Sequence, residues 1–343
     1  VLYGMKKNTG ERVVVKVRQK RGSFANQGEE AEWRMSTEFM LNLPKSGNIV
    51  QLYEVLEDTA AYYVVMEKAT GQDLFETLDC HGRLPLSDCK EILRQLLAAV
   101  AELHAVGCIH KDLKLENVMI DRASMTTCNS WHSMSTDSSN HNDSDGSHSP
   151  VVKLIDFDTV EAWAPGGHRL PESVVGTDQY IAQEAYAGKY SPASDIFAVG
   201  VIAYKLLTGR FPFSSSIFDD EAGENWVGSP KMNQIRSRLR HFPIDFNVGP
   251  LLTDVQARDF CMAMLAVDDR DRPKAAAALQ HPFLSQAKTQ SPTGTATSLG
   301  SVSPGSSAPA ADYLKGTSKT PRSTANMQFP YIPPQPSVHL SVN

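Results

Sequence analysis

The hydrophobic period of this chain changes once, near residue 67, and that switch constrains the fold more than any other feature. Residues 11–18, 49–56 and 61–67 are runs rich in Val, Ile, Leu and Tyr, separated by Gly, Asn and Asp, which is the pattern of short strands with one polar, helical interruption between the first two. From residue 73 to about residue 284 the period is helical. Ile92, Leu93, Leu96, Leu97, Val100 and Leu103 recur on one face behind Ser87, an N-cap candidate. Residues 196–207 are apolar nearly all round, which predicts a helix buried in a core and stopped by Gly209 and Pro212.

Two segments break from both patterns. Residues 121–150 are mostly Ser, Asn, Asp and His, and beyond Leu284 about half the residues are Ser, Thr, Pro and Gly. Neither buries enough apolar surface to offset its ordering entropy, so the first is expected to be a surface insertion and 285–343 a disordered tail. The remainder suffices for one large domain or two lobes with a core each. With 33 Lys+Arg against 39 Asp+Glu, the net charge of −6 gives no electrostatic reason to bind nucleic acid or an anionic membrane. The 5 Cys, with no Cys-x-x-Cys pair, fit a reducing compartment. No apolar run reaches the roughly 18 residues of a membrane span. Val1 is preceded by no Met or leader, so the chain reads as an intracellular fragment, cytoplasmic or nuclear.

Chemistry concentrates in His110-Lys111-Asp112-Leu113-Lys114-Leu115-Glu116-Asn117 and, after the insertion, in Leu154-Ile155-Asp156-Phe157-Asp158. Taken singly, a Lys on a strand is a solvated residue, and Asp-x-x-x-x-Asn is a turn. In order over nearly 300 residues, the segments resemble the eukaryotic protein kinases of serine/threonine type. Val13-Val14-Val15-Lys16 resembles that family's strand lysine, 110–117 its catalytic loop and Asp156-Phe157 its magnesium motif. The run from Gly176 to Glu184 is similar to the end of its activation segment, and Asp195-Ile196-Phe197-Ala198-Val199-Gly200 to its central buried helix. Arg270-Asp271-Arg272-Pro273 and His281-Pro282-Phe283-Leu284 are similar to its closing helices. Leu52-Tyr53-Glu54-Val55, Leu74-Phe75 and Thr208-Gly209 look most like the calcium/calmodulin-dependent kinase group.

The resemblance implies an α+β, bilobal protein-kinase-like fold spanning 1–284. A small β-rich N-lobe covers about 1–66, a hinge about 67–72, and a larger, mainly helical C-lobe about 73–284. It also implies ATP and magnesium as cofactors. Phosphoryl transfer needs charge neutralised and a hydroxyl held in line more than it needs covalent help. Lys16 would then be a point charge for the nucleotide phosphates, and Asp156 and Asn117 oxygen ligands of magnesium. Asp112 would accept or orient the substrate proton, and Lys114 would offset charge on the moving group. Met66 falls in the gatekeeper position, Glu67–Ala69 in the adenine-binding hinge, and Val14 and Met119 above and below the adenine. Asp73 would bond the ribose or a basic substrate residue, or cap the helix that follows. Glu184 and Arg272 would form a buried ion pair locking the activation segment to the lower lobe.

The chain also departs from the family. The Gly-rich phosphate lid should precede Val1, so truncation is expected there. The partner of Lys16 is read as Glu38, although a gap-free count back from Asn48-Ile49-Val50 lands on Thr37, and Glu32 is an alternative. Lys111 stands where the family has an Arg that clamps a phosphorylated loop, with Ser173 the candidate phosphosite. Asp158 replaces the Gly that ends the magnesium motif, adding a carboxylate near the metal, and Gln183 replaces a Pro.

The insertion puts Asp156 39 positions after Asn117, so it must loop out between neighbouring strands. Its Asp143-Ser144-Asp145-Gly146 lacks the ligands of an EF-hand, with His141 and Val152 at the ends. His132, His141, His148 and Cys128 are read as residues of a solvated loop. Ser291-Pro292, Ser303-Pro304 and Thr320-Pro321 in the tail are candidate phosphosites, and no calmodulin-binding helix follows Leu284. The expected function is a kinase acting on Ser/Thr hydroxyls of proteins, with Asp73 and Glu116 favouring basic residues before the acceptor. The alternative is a pseudokinase, a binding or scaffolding module, supported by Asp158, Lys111, Gln183, the ambiguous partner Glu38 and the missing lid.

Overall fold

A computed structural model describes residues 1–24, 26–121, 149–164, 166 and 171–285. The body of the insertion, with its Cys and His residues, and the tail, with its Ser-Pro and Thr-Pro pairs, lie outside the described residues.

The β-branched runs near the N-terminus form one antiparallel sheet. Strands β1 (Leu2–Met5), β2 (Arg12–Gln19), β3 (Leu52–Glu57) and β4 (Ala61–Glu67) lie in the order β1-β2-β4-β3. The β2/β4 register pairs Val14 with Met66 and Lys16 with Val64, so the strand lysine rises from the middle of the sheet. The polar interruption is helix α1 (Gln27–Leu41), capped by the Asn26 side chain, which accepts from Glu29 N at 3.0 Å. Its buried residues are Trp33, Ser36, Thr37 and Met40, the spacing of a single face.

A short crossover then opens the larger helical part. It comprises β5 (Gln72–Asp73), α2 (Leu74–His81), α3 (Leu86–Ala105), β6 (Cys108–Ile109), β7 (Val118–Asp121), β8 (Val151–Leu154) and β9 (Glu161–Ala162). Helices α4 (Pro192–Thr208), α5 (Pro230–His241), α6 (Pro250–Thr253), α7 (Val255–Met264) and α8 (Ala275–Ala278) complete it. The chain thus has the two-part α+β arrangement that the resemblance implied. Asp73 caps α2, accepting from Glu76 N at 2.7 Å. Ser87 does not cap α3: the helix starts one residue earlier, with Pro85 in the cap position and no side-chain bond. The fixed φ of Pro85 pre-sets that entry without a hydroxyl.

The core sits where α3 and α4 cross. Ile92, Leu93, Leu96, Leu97, Val199 and Val201 have no measurable exposure, and full burial of each such side chain is worth about 1.5–3 kcal/mol. Helix α4 is buried almost all round, with a Ser191 capping box at its start and Gly209 in the left-handed region (φ 76°) at its end. Gly71 is needed for a second reason. It has φ 88°, and a Cβ there would lie 1.9 Å from the Ile120 carbonyl oxygen, so any side chain would push β7 away from the crossover.

The insertion leaves and re-enters through paired strands, since Asp121 faces Val151 across the β7/β8 ladder. Loop closure of this kind costs little extra with length, so the residues before and after it keep their places. Leu154 exchanges backbone bonds with the segment before β3, its N–H donating to Asn48 O (2.8 Å) and its carbonyl accepting from Val50 N (3.0 Å). Ile155 N donates to Asn117 O at 2.9 Å, so the two motifs separated by the insertion are stitched together at the backbone.

Candidate active site

A cavity of about 480 Å³ lies between the four-stranded sheet and the β7/β8 pair. Val14, Lys16, Met66, Glu67 and Ala69 line it from the sheet and crossover, and Met119, Asp156 and Asp158 from below. Apart from Glu67 and Lys68 at the crossover, its charges gather at one end, where Lys16, Asp156 and Asp158 meet, and the rest of the lining is mostly apolar, as a site for a molecule with a flat ring and a polyanionic tail would be. Among the residues expected to bind nucleotide, Asp73 lies outside this lining, with its carboxylate engaged in capping α2.

The charged end is organised by Lys16. Its ammonium lies 2.7 Å from Asp156 Oδ1 and 2.8 Å from Asp158 Oδ2. Burial acts to lower its pKa, but hydrogen bonds to Asp156 and Asp158 prevail and hold it above the ordinary lysine value. Burial likewise acts to raise that of Asp156, and the bond from Lys16 overrides it, so the carboxylate stays ionised. The Glu38 expectation is corrected here. One turn holds about 3.6 residues, which places position 38 roughly 140° around the helix from Trp33. Glu38 is exposed, as is Glu32, while Thr37 faces the cavity. Both carboxylate partners of Lys16 therefore come from the Asp156–Asp158 loop and neither from α1.

The second cluster is the 110–117 loop. Asp112 Oδ1 accepts from Thr177 Oγ1 at 2.8 Å, and its Oδ2 lies 2.8 Å from Lys114 Nζ. Lys114 also donates to Thr177 Oγ1 at 3.0 Å, closing a three-residue ring of bonds. Asn117 Nδ2 donates to Asp112 O at 2.8 Å, so its amide oxygen is the atom left to offer a cation. Asp156 and Asn117 thus present a carboxylate and an amide oxygen from neighbouring backbones, a donor set suited to magnesium, which keeps its other positions for phosphate and water. Among the described residues no group of three or more His, Cys, Asp or Glu side chains could hold a metal on its own.

Backbone strain marks the same place. Lys111 (φ 69°) and Asp156 (φ 64°) are the non-glycine residues with positive φ among those described, a conformation that persists only when surroundings enforce it. The enforcing group at Lys111 is Asp195 at the start of α4, which is 2% exposed. It accepts from His110 N (2.8 Å) and Lys111 N (3.0 Å) and meets His104 Nε2 at 2.9 Å. Burial would raise the pKa of Asp195, yet the His104 bond and the backbone donors bring it below the ordinary value. His110 is fully buried, and burial lowers its pKa, keeping the ring neutral. Lys111 itself is engaged, its ammonium 2.6 Å from Glu161 on β9.

Sequence reasoning did not single out Thr177 or the anchoring role of Asp195. Each lies inside a quoted motif, but its partners are far away along the chain, 65 residues for Thr177 and Asp112. Glu184 and Arg272 do meet, at 2.6 Å, with the Arg272 side chain wholly buried.

Residues 1–284 match the family model described as protein kinase domain. The chain is similar to the serine/threonine-protein kinase RAD53 of Saccharomyces cerevisiae, 29% identical over 83% of this chain and 31% of that protein. It is similar to the human serine/threonine-protein kinase H1, at 32% over 71% of this chain and 50% of the relative. The human hormonally up-regulated neu tumor-associated kinase shares 30% over 72% of this chain and 31% of its own length. The chain therefore spans about a third to a half of the length of these relatives.

Proposed function

The chain belongs to the protein kinase family, and on that premise we propose that it is a serine/threonine kinase, transferring the γ-phosphoryl group of ATP to Ser and Thr hydroxyls of proteins. The observation that carries this reading is the convergence of Lys16 and Asp156 on the charged end of the cavity, with the Asp112–Lys114–Thr177 ring assembled on the adjoining loop.

Each residue has a task in that reaction. Val14 and Met119 lie on opposite walls of the cavity, where they would hold the adenine, with Met66 at the back and backbone groups of Glu67–Ala69 at its edge. Lys16 holds the nucleotide phosphates. Asp156 and Asn117 would hold magnesium, which when bound supplies neutralisation of phosphate charge. Asp112 takes the acceptor proton as the hydroxyl oxygen forms its bond to phosphorus and the bond to the ADP oxygen breaks. Lys114 offsets the charge on the moving group, and Thr177 holds the Asp112 carboxylate in one orientation.

Glu116 is exposed at the same loop and, with Asp73, favours substrates with basic residues before the acceptor. The catalytic domain comprises 1–284, with 121–150 as an insertion and 285–343 as a tail, and its subgroup is that of the calcium/calmodulin-dependent kinases. No described helix is long and apolar enough to cross a membrane, and an intracellular location, cytoplasmic or nuclear, is part of the proposal. The Glu161 contact occupies Lys111, the cation that would otherwise clamp a phosphorylated loop, so activity depends less on phosphate at Ser173.

The test is ATP-dependent phosphorylation of mixed basic Ser and Thr peptides by the full-length protein. Wild type is expected to label both, and Lys16→Met to label neither while unfolding at the wild-type temperature. Wild-type protein that is folded yet as silent as Lys16→Met would instead make the chain a binding or scaffolding module.

A further inference from the structure

The family position that supplies a carboxylate to the strand lysine is occupied here by a residue without one. Thr37, 8% exposed, faces the cavity from α1, and no acidic side chain of that helix lines it. Yet Lys16 is not short of a counter-ion. Asp156 contacts it, but in the reaction proposed above that carboxylate is committed to magnesium. The remaining carboxylate is Asp158, 2.8 Å from the ammonium, at a position where glycine would offer no side chain at all.

Asp158 is also held from a second direction. Arg18, two residues beyond Lys16 on the same face of β2, brings Nη1 to 3.8 Å from Asp158 Oδ2. The guanidinium is fixed in turn over the rings of Phe24 (4.4 Å) and Trp33 (5.2 Å), and its Nη2 donates to Ser23 O at 3.2 Å. Asp158 thus reaches from the lower loop to two cations of the upper sheet, and Arg18 passes that contact on to the aromatic face of α1.

We propose that Asp158 is the positioning residue of Lys16, the carboxylate that holds the ammonium toward the nucleotide phosphates in place of the one α1 lacks. The two substitutions, Thr37 and Asp158, are then one change: the counter-ion has moved from the helix to the loop. The lysine is aligned by the same loop that carries Asp156 rather than by a carboxylate of α1.

The inference rests on the kinase reading, and the experiment separates the two. ATP affinity is measured by calorimetry with magnesium present, where Asp156 is committed to the metal, alongside KM for ATP and kcat, on folded wild type, Lys16→Met, Asp158→Gly, the near-isosteric Asp158→Asn, Thr37→Glu/Asp158→Gly and Lys16→Met/Asp158→Gly. Removing the carboxylate is expected to weaken ATP binding and raise KM for ATP about tenfold, with a smaller change in kcat. Adding Thr37→Glu should return most of that loss. Lys16→Met/Asp158→Gly should be no weaker than Lys16→Met alone, because two groups acting through one contact are not additive. Asp158→Gly that binds ATP as well as wild type overturns the proposal, as does failure of Thr37→Glu to restore binding, or additive losses with Lys16→Met. Wild type that binds no ATP removes both this inference and the kinase reading.

Discussion

Asp112→Asn is expected to lower kcat for peptide phosphorylation by about 10²–10⁴-fold, the usual worth of a positioned proton acceptor, and to leave the affinity for ATP nearly unchanged. The separation follows from position. Asp112 is absent from the lining of the cavity, and its oxygens are turned toward Thr177 and Lys114. Asparagine keeps the volume and can keep one of those bonds, so the fold is undisturbed, but it loses the charge that draws the hydroxyl proton. Steady-state kinetics against both peptide and ATP would read the effect. An unchanged kcat would mean that Asp112 is only a structural partner of Thr177.

The largest expected effect on stability lies at Arg272. Its side chain is fully buried and makes two bonds to Glu184, at 2.6 and 3.0 Å, with further bonds to Ala266 O (2.8 Å) and Ala193 O (2.9 Å). Gln183, standing where the family has a proline, joins the same cluster by donating to Val267 O. Arg272→Ala leaves the Glu184 carboxylate in a dry environment without its cation, a defect that costs about 3–5 kcal/mol. For a domain of this size, that is a fall of roughly 6–20 °C in Tm. Arg270, two residues earlier and 84% exposed, pairs with Asp268 at the surface, and its replacement by Ala should leave Tm where it is. Calorimetry of both variants tests the contrast, and equal shifts would show that burial is not what gives the Arg272 pair its importance.

The sequence was most readable where the structure depends on local pattern. The strand runs became β2 and β4, the apolar stretch became α4, and Asp73 capped α2 as one of its weighed roles. The catalytic-loop and magnesium motifs are brought together despite the insertion, because β7 and β8 pair on either side of it. Where the reading failed, a tertiary contact decided. Helix α1 carries Glu29, Glu30, Glu32 and Glu38, so composition singles out no counter-ion, and a shift of one residue turns a side chain by about 100°. The inward face, marked by Trp33, Ser36, Thr37 and Met40, is set by packing on the sheet. Ser87 failed as a cap because Pro85 had already fixed the helix entry.

Asp158 teaches the same lesson. In the sequence it is a lost glycine and an added charge two residues from Asp156. In the structure it faces Lys16 across the cleft, a contact between residues 142 positions apart that no local window contains. Thr177 and Asp195 are similar, each important through bonds to the 110–117 loop rather than through its own neighbourhood.

The central claim is that Lys16, Asn117 and Asp156 serve one triphosphate. Calorimetric titration of the folded protein with ATP, in magnesium and then in EDTA, tests it directly. The account predicts tighter binding with magnesium in wild type, loss of that increment in Asp156→Asn, and its retention in Asp112→Asn. Binding that is equally strong with and without the metal, or unaffected by Asp156→Asn, would contradict it.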